Sequence, residues 1–313
     1  SLQVSEFLRS LTLQSLATAS PLDIRWLGYS YIAFRILHTI RDRQTGRLPA
    51  VSLAEYVVYV IFFPALSAGP IDRIERFTGD LRKIPQRTAE DWGVSGQRIV
   101  LGLFKKFVIA DGLSMMALNA TNASQIQSSG WAWIMLYAYA FQLFFDFSGY
   151  TDIAIGTARL LGIRLPENFN HPYLKPNLTQ FWNNWHMTLT QWFRAYFFNP
   201  VTRALRSSKK PVSIPVIIFI TQLGTMLLIG LWHGVSMNFI FFGLWHGIGL
   251  FIHNRWSDWT KSGFTRLPPS WQKVLNLGGL VLTFHFVALS WVFFALPSPS
   301  ISGDFLRVLA GLP

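Results

Sequence analysis

Apolar residues run through this chain in stretches too long and too continuous for the alternation of half-buried strands. Five of them are long enough, at about 17 residues or more, for a helix to cross the hydrocarbon of a bilayer. They fall at about 51 to 69, 131 to 147, 211 to 232, 235 to 253 and 274 to 296. Three more, at about 25 to 40, 96 to 116 and 149 to 165, are apolar at helical period but carry Arg35, Lys105, Lys106, Asp111, Asp152 and Arg159. A charge at the bilayer centre costs at least about 2.5 kcal/mol on insertion scales, so these segments are expected to be short, re-entrant, interfacial or buried in a bundle. The pattern predicts an all-α fold, a polytopic transmembrane helical bundle with short re-entrant and interfacial helices. No solenoid repeat or soluble domain interrupts it, so residues 1 to 313 read as a single membrane-embedded domain.

Composition supports the bilayer: 51% hydrophobic, 16% aromatic and 13% charged residues are too few charges for a soluble domain and too much apolar surface for disorder. The excess of 27 Lys+Arg over 15 Asp+Glu would suggest nucleic acid in a soluble protein. Here it concentrates in connections at 41 to 48 (Arg41, Arg43, Arg47), 73 to 87 (Arg73, Arg76, Arg82, Lys83, Arg87) and 203 to 210 (Arg203, Arg206, Lys209, Lys210). Basic loops beside anionic headgroups account for that excess, so membrane lipid is the expected partner, nucleic acid is not, and these loops are cytoplasmic candidates. The absence of cysteine excludes disulfides, thiolate metal sites and a cysteine nucleophile. Ser1-Leu2-Gln3 offers neither an initiating Met nor a signal peptide, which reads as an excerpt truncated at the N-terminus.

Seven histidines, His38, His171, His186, His233, His246, His253 and His285, are the titratable groups to weigh. His186 lies in Phe181-Trp182-Asn183-Asn184-Trp185-His186-Met187-Thr188-Leu189, among Trp182, Leu189 and Phe193 on one helical face, either as core filler or lining a cavity. His233 ends the 211 to 232 stretch, flanked by Trp232 and Gly234 and followed by Ser236 and Asn238; a base there is one reading, a histidine snorkelling to the interface the other. Gly-Leu-Trp-His-Gly occurs at 230 to 234 and again at 243 to 247. On one continuous helix that shift moves about 20 Å along the axis and about 220° around it, so His233 and His246 could not share a site.

Asp146 and Asp152 would stand about 240° apart on an ideal helix, which does not support a carboxylate pair; a helix break at Gly149, with Asp146 bonding exposed amides, is the better expectation. Glu167-Asn168-Phe169-Asn170-His171-Pro172 reads as a polar loop that either meets a polar substrate or turns the chain. No phosphate loop, dinucleotide fingerprint, zinc-protease helix or nucleophile elbow is present, so the expected chemistry is histidine in a membrane cavity, with no metal and no bound cofactor.

From Phe145-Asp146-Phe147-Ser148-Gly149-Tyr150-Thr151-Asp152 through Arg164-Leu165-Pro166-Glu167-Asn168-Phe169-Asn170, the chain resembles the membrane-bound O-acyltransferase (MBOAT) superfamily. The likeness continues through Phe181-Trp182 to Trp185-His186, Trp192-Phe193-Arg194, Gly230-Leu231-Trp232-His233-Gly234 and Ser290-Trp291-Val292-Phe293-Phe294, and so covers most of the chain. It implies that His233 is the catalytic histidine and His186 the second active-site position, occupied by asparagine in other branches. It gives His246 no catalytic counterpart. Asn184, Trp185, Trp232, Asn238, Asp146 and Asn168 are the substrate-binding candidates.

The implied reaction is transfer of an acyl group, acetyl in the first reading, from a cytoplasmic thioester to a hydroxyl of an extracytoplasmic polysaccharide or relay protein. The donor would be acetyl-CoA or the phosphopantetheine of an acyl-carrier protein, and the place a bacterial inner membrane, crossed several times. Two bacterial branches share these motifs. Ser148-Gly149-Tyr150-Thr151-Asp152 and Ser290 to Phe294 are more similar to alginate O-acetylation proteins, Asn183 with Trp185 to Leu189 more similar to teichoic acid D-alanyl transfer. A polysaccharide-precursor transporter or flippase, and a scaffold docking a partner enzyme, are the readings of another class.

Overall fold

The computed structural model describes residues 28–83, 88–210 and 212–312; the chain start at Ser1-Leu2-Gln3, residues 25 to 27 of the first weak segment and Arg87 lie outside the described residues. Within them the regular structure is helical, with no strand. In chain order the helices are α1 (Tyr29–Gln44), α2 (Leu53–Val60), α3 (Ile74–Leu81), α4 (Ala89–Phe104), α5 (Asp111–Ser114), α6 (Ala120–Ala123), α7 (Ser129–Leu160), α8 (Leu178–Trp182), α9 (Met187–Phe193), α10 (Asn199–Arg206), α11 (Ile214–His233), α12 (Met237–Arg266), α13 (Pro269–Ala295) and α14 (Pro299–Leu309). Wider helical turns at Lys105–Ala110 and Arg194–Phe198 join α4 to α5 and α9 to α10.

Among the described residues two helices, α11 and α13, are long and apolar enough to cross a membrane, and only 28% and 33% of their most apolar windows are buried. A core helix of a soluble protein would be mostly covered; here Leu277, Leu282 and Ile220 face outward. Trp256, Trp259 and Trp271 are exposed near the polar junction of α12 and α13, where an aromatic belt would lie. The other three expected spans do not form helices of that kind. The 131 to 147 stretch is part of the 32-residue α7, and 235 to 253 part of the 30-residue α12, where Trp, Tyr, Asn and His dilute the hydropathy. The 51 to 69 stretch is broken after Val60.

Arg35 marks that break. It is buried, and its guanidinium donates to the carbonyl oxygens of Tyr59 (3.2 Å), Val60 (2.9 Å) and Ala65 (2.7 Å). A charge inside an apolar segment is thus spent on satisfying the orphan carbonyls of a helix end.

No break occurs at Gly149, contrary to the sequence expectation: α7 runs unbroken from Ser129 to Leu160. Instead Gly149 meets Gly102 of α4 so closely that a Cβ on it would lie 2.7 Å from the Gly102 carbonyl oxygen. One heptad further along α7, a Cβ on Gly156 would lie 2.7 Å from Ile99 and 3.0 Å from the Ser95 carbonyl oxygen. Small residues seven apart on both helices therefore form the crossing, the small-residue packing used where lipid supplies no hydrophobic drive. Charges rivet its flanks. Asp152 accepts from Lys105 (2.7 Å) and Arg98 (3.0 Å), Asp146 pairs with Lys106, and Arg98 reaches on to Glu167. Asp146 therefore bonds an ammonium rather than exposed backbone amides.

Helices α11 and α12 form an antiparallel hairpin drawn together by glycine. A Cβ on Gly230 would lie 2.2 Å from the Phe239 carbonyl oxygen, and one on Gly243 would lie 2.8 Å from that of Met226. The repeated Gly-Leu-Trp-His-Gly is thus split between two helices, and the continuous-helix geometry does not apply. Between this hairpin, α1, α7 and α13 lies the segment from Tyr173 to Phe193, whose Phe181, Trp182, Trp185, Leu189 and Phe193 join the main apolar core.

Candidate active site

Four histidine rings are tied into the fold. His38 bonds Tyr59 (2.8 Å), His253 meets Thr179 (3.3 Å), and His285 bonds Tyr137 (2.8 Å). His246 is the most fully committed. Trp182 Nε1 donates to its Nδ1 (3.2 Å), which fixes the tautomer, so its Nε2 donates to Ser290 Oγ (2.8 Å), and Ser290 passes the bond to the Val287 carbonyl (2.6 Å). Among the described residues, the rings of His186 and His233 make no hydrogen bond, and His171 is exposed on a turn before Pro172.

His186 and His233 are brought to one indole. The Trp232 ring lies 4.5 Å from His233 and 5.9 Å from His186, centroid to centroid, with Tyr31 (5.9 Å) and Phe34 (5.8 Å) on its other sides. His186 is 2% exposed and packs edge-on against Phe147 of α7 at 4.8 Å. Its Nε2 and the Trp232 Nε1 are both buried with no partner among the described residues. A buried donor or acceptor left unpaired costs about 1–3 kcal/mol, so two beside one another mark a place where a polar group is meant to arrive. His233 is the last residue of α11 and is exposed, although Phe294 (4.7 Å), Phe239 (6.0 Å) and Phe242 (6.3 Å) stand around it. Such a ring sits in a recess, open on one side and walled by aromatics.

The helix carrying His233 also lines a cavity of about 240 Å³. Gln222, Met226 and Ile229 line it at steps of three or four residues, the spacing of one helical face, and His233 is the next step. Thr190 and Arg194 close it from the α9 side.

The other sequence candidates separate. Trp185 is buried against Phe169 (5.2 Å), Phe181 (5.6 Å) and Trp291 (5.2 Å) as part of the core behind His186. Asn238 donates to the Leu296 carbonyl (2.7 Å) and Ser302 (3.0 Å), tying α12 to α14. Asn184 donates to the Gln180 carbonyl (2.7 Å), and Asp146 is held by Lys106. Asn168 is fully buried and bonds Thr188, two residues from His186. The aromatic walls Phe147, Phe239 and Phe294 were not among the sequence candidates; Phe147 and Phe294 stand inside motifs quoted above, the only signal that could have found them. No three His, Asp or Glu side chains among the described residues converge as metal ligands would.

Residues 7–295 match the family described as MBOAT, membrane-bound O-acyltransferase. A teichoic acid D-alanyltransferase of Streptococcus thermophilus is 34% identical over 288 residues, covering 87% of this chain and 68% of that protein. A probable alginate O-acetylase of Pseudomonas aeruginosa is 35% identical over 269 residues, covering 86% and 48%, and a peptidoglycan O-acetyltransferase of Helicobacter pylori 34% identical over 264, covering 82% and 47%. The chain thus spans about half the length of these acetyl-transferring relatives.

Proposed function

Because the chain belongs to the membrane-bound O-acyltransferase family, and so is an acyltransferase of a membrane, we propose that it moves an acyl group, acetyl in the first reading, from a cytoplasmic thioester to a hydroxyl beyond the membrane. The acceptor in this reading is an extracytoplasmic polysaccharide or a relay protein, and the chain sits in the bacterial plasma membrane as a multi-pass bundle. The family assignment leaves the transporter and scaffold readings without support.

One observation carries the chemistry: the rings of the exposed His233 and of His186 both stand against the Trp232 indole, and the nitrogens His186 Nε2 and Trp232 Nε1 are buried without partners. His233 takes the proton of the acceptor hydroxyl as its oxygen bonds to the thioester carbon. The carbonyl oxygen, turning anionic, accepts a hydrogen bond from Trp232 Nε1–H and a second from the His186 ring. Collapse breaks the carbon–sulfur bond, and His233 returns its proton to the departing thiolate. The cavity on the α11 face, lined by Gln222, Met226 and Ile229 one to three turns before His233, is the candidate place for a slender donor arm.

A second reading, D-alanyl transfer from a carrier-protein thioester to teichoic acid, is favoured by the greater share of the D-alanyltransferase relatives that the chain covers, 68% and 69%. The two separate in membranes containing the full-length protein, supplied in parallel with labelled acetyl-CoA and labelled D-alanyl carrier protein. Label moving to polymer or partner protein from the first donor supports acetyl transfer, and from the second D-alanyl transfer. Label moving from neither, in native membranes that retain the protein's own partners, contradicts the proposal.

A further inference from the structure

We propose that Asn168 and Thr188 are positioning residues for acyl transfer, acting through His186: Asn168 supplies from a distant segment the helix cap that His186 cannot supply itself, and so frees the His186 ring to face Trp232. The inference rests on the reading of His186 given above.

His186 occupies the N-cap position of α9, with φ 42° and ψ 54° in the left-handed region. Only His171 and His186 among the described non-glycine residues have positive φ. That conformation costs an L-residue about 1–2 kcal/mol and persists only where the surroundings hold it, histidine and asparagine being among the residues that tolerate it best. An N-cap side chain ordinarily accepts from the first free amides of its helix, but the His186 side chain makes no such bond. Asn168 does so instead. Its carbonyl oxygen accepts from Met187 N (2.9 Å), and its Oδ1 accepts from Thr188 N (3.2 Å) and Thr188 Oγ1 (2.7 Å). Thr188 Oγ1 in turn accepts from Ile71 N (3.0 Å), and Asn170 N donates to the Asn184 carbonyl (3.1 Å), closing the clasp on both sides. Both side chains are buried, at 0% and 3% exposure, so no water replaces a lost partner. Next to the clasp, Arg98 holds Glu167 and ties it to the ion pairs between α4 and α7.

Without the Oδ1 and Oγ1 bonds the second amide of α9, Thr188 N, loses its side-chain cap and the Asn168 segment its hold on the helix start, and His186 relaxes toward ordinary helical φ, carrying its ring away from Trp232. Displacement of a group in contact with the reacting atoms lowers turnover rather than donor affinity.

The test uses the full-length protein in membranes, with rates normalised to the folded protein recovered by size-exclusion in detergent. Thr188→Val, which keeps shape and removes the hydroxyl, is expected to lower kcat by about ten- to hundredfold with donor KM changed less than about twofold. Thr188→Ser, which keeps the hydroxyl, is expected within about threefold of wild type, a recovery the retained hydrogen bonds would produce. In a His186→Ala background, Thr188→Val is expected to cause no further loss, because it acts only through the missing ring. Equal losses in the two backgrounds would show a general structural role and overturn the proposal, as would wild-type kcat for Thr188→Val or a failure of Thr188→Ser to recover. His186→Ala at wild-type turnover would instead overturn the premise that His186 serves the reaction.

Discussion

Replacing Gly230 by alanine tests the packing that sets His233 in place. An ideal Cβ at this position would stand 2.2 Å from the Phe239 carbonyl oxygen and 3.2 Å from its carbon, both main-chain atoms of the facing helix. Carbon and oxygen in ordinary contact keep about 3.3 Å apart, so the hairpin of α11 and α12 must open by about 1 Å. Overpacking of that kind costs about 1–3 kcal/mol, and rigid backbone on both sides places it at the upper end. Alanine's helix propensity returns about 1 kcal/mol, leaving a net loss of about 1–2 kcal/mol. Because His233 follows three residues later at the end of the same helix, the shift also moves its ring, and turnover is expected to fall by up to about a hundredfold. The control is Gly263→Ala in the polar end of α12, where a Cβ meets nothing within 4 Å. Heating detergent-solubilised protein and measuring the fraction that still elutes as a folded peak ranks the three. The expected order is Gly263→Ala at or above wild type, with Gly230→Ala below. Gly230→Ala as stable and as active as wild type would refute the close crossing.

Other substitutions probe separate parts of the account. Asp152→Asn leaves Arg98 and Lys105 facing one another without their shared carboxylate, and should lower stability by about 3 kcal/mol in the same heating assay, with part regained when Lys105→Met is added. Ser290→Ala strands the His246 Nε2–H in the core and should cost about 1–3 kcal/mol of stability while leaving kcat per folded molecule unchanged, as measured in the transfer assay. Trp232→Phe keeps an aromatic six-membered ring and removes the indole N–H donor at the recess; kcat is expected to drop by about 10²- to 10³-fold, the range seen on removal of a single oxyanion donor, with donor KM little changed.

What could be read from the sequence follows from how local each cause is. The stretches 211 to 232 and 274 to 296 became α11 and α13 because unbroken aliphatic runs need no partner to be recognised. The MBOAT motifs were likewise legible as strings, and the family match confirms the class they implied. Gly149 was not. A glycine beside Ser148 and Tyr150 looks like a breaker, and only its pairing with Gly102, 47 positions away, turns it into a contact surface. Arg35 looked like a misplaced charge because the carbonyls it satisfies belong to another helix. Split by the turn after Gly234, the two Gly-Leu-Trp-His-Gly copies led the single-helix geometry astray. Asn168 could be picked out as polar and interesting, but its bond to Thr188 spans 20 residues and leaves no periodic trace.

The central claim is that His233 is the base of an acyl transfer. It is met most directly by turnover of labelled acyl donor in membranes holding equal amounts of folded full-length wild type, His233→Ala and, as a matched control, His171→Ala at the exposed turn before Pro172. Label reaching the acceptor with wild type and His171→Ala, and falling by at least about a hundredfold with His233→Ala, is the predicted result. Transfer by His233→Ala at the wild-type rate would contradict it.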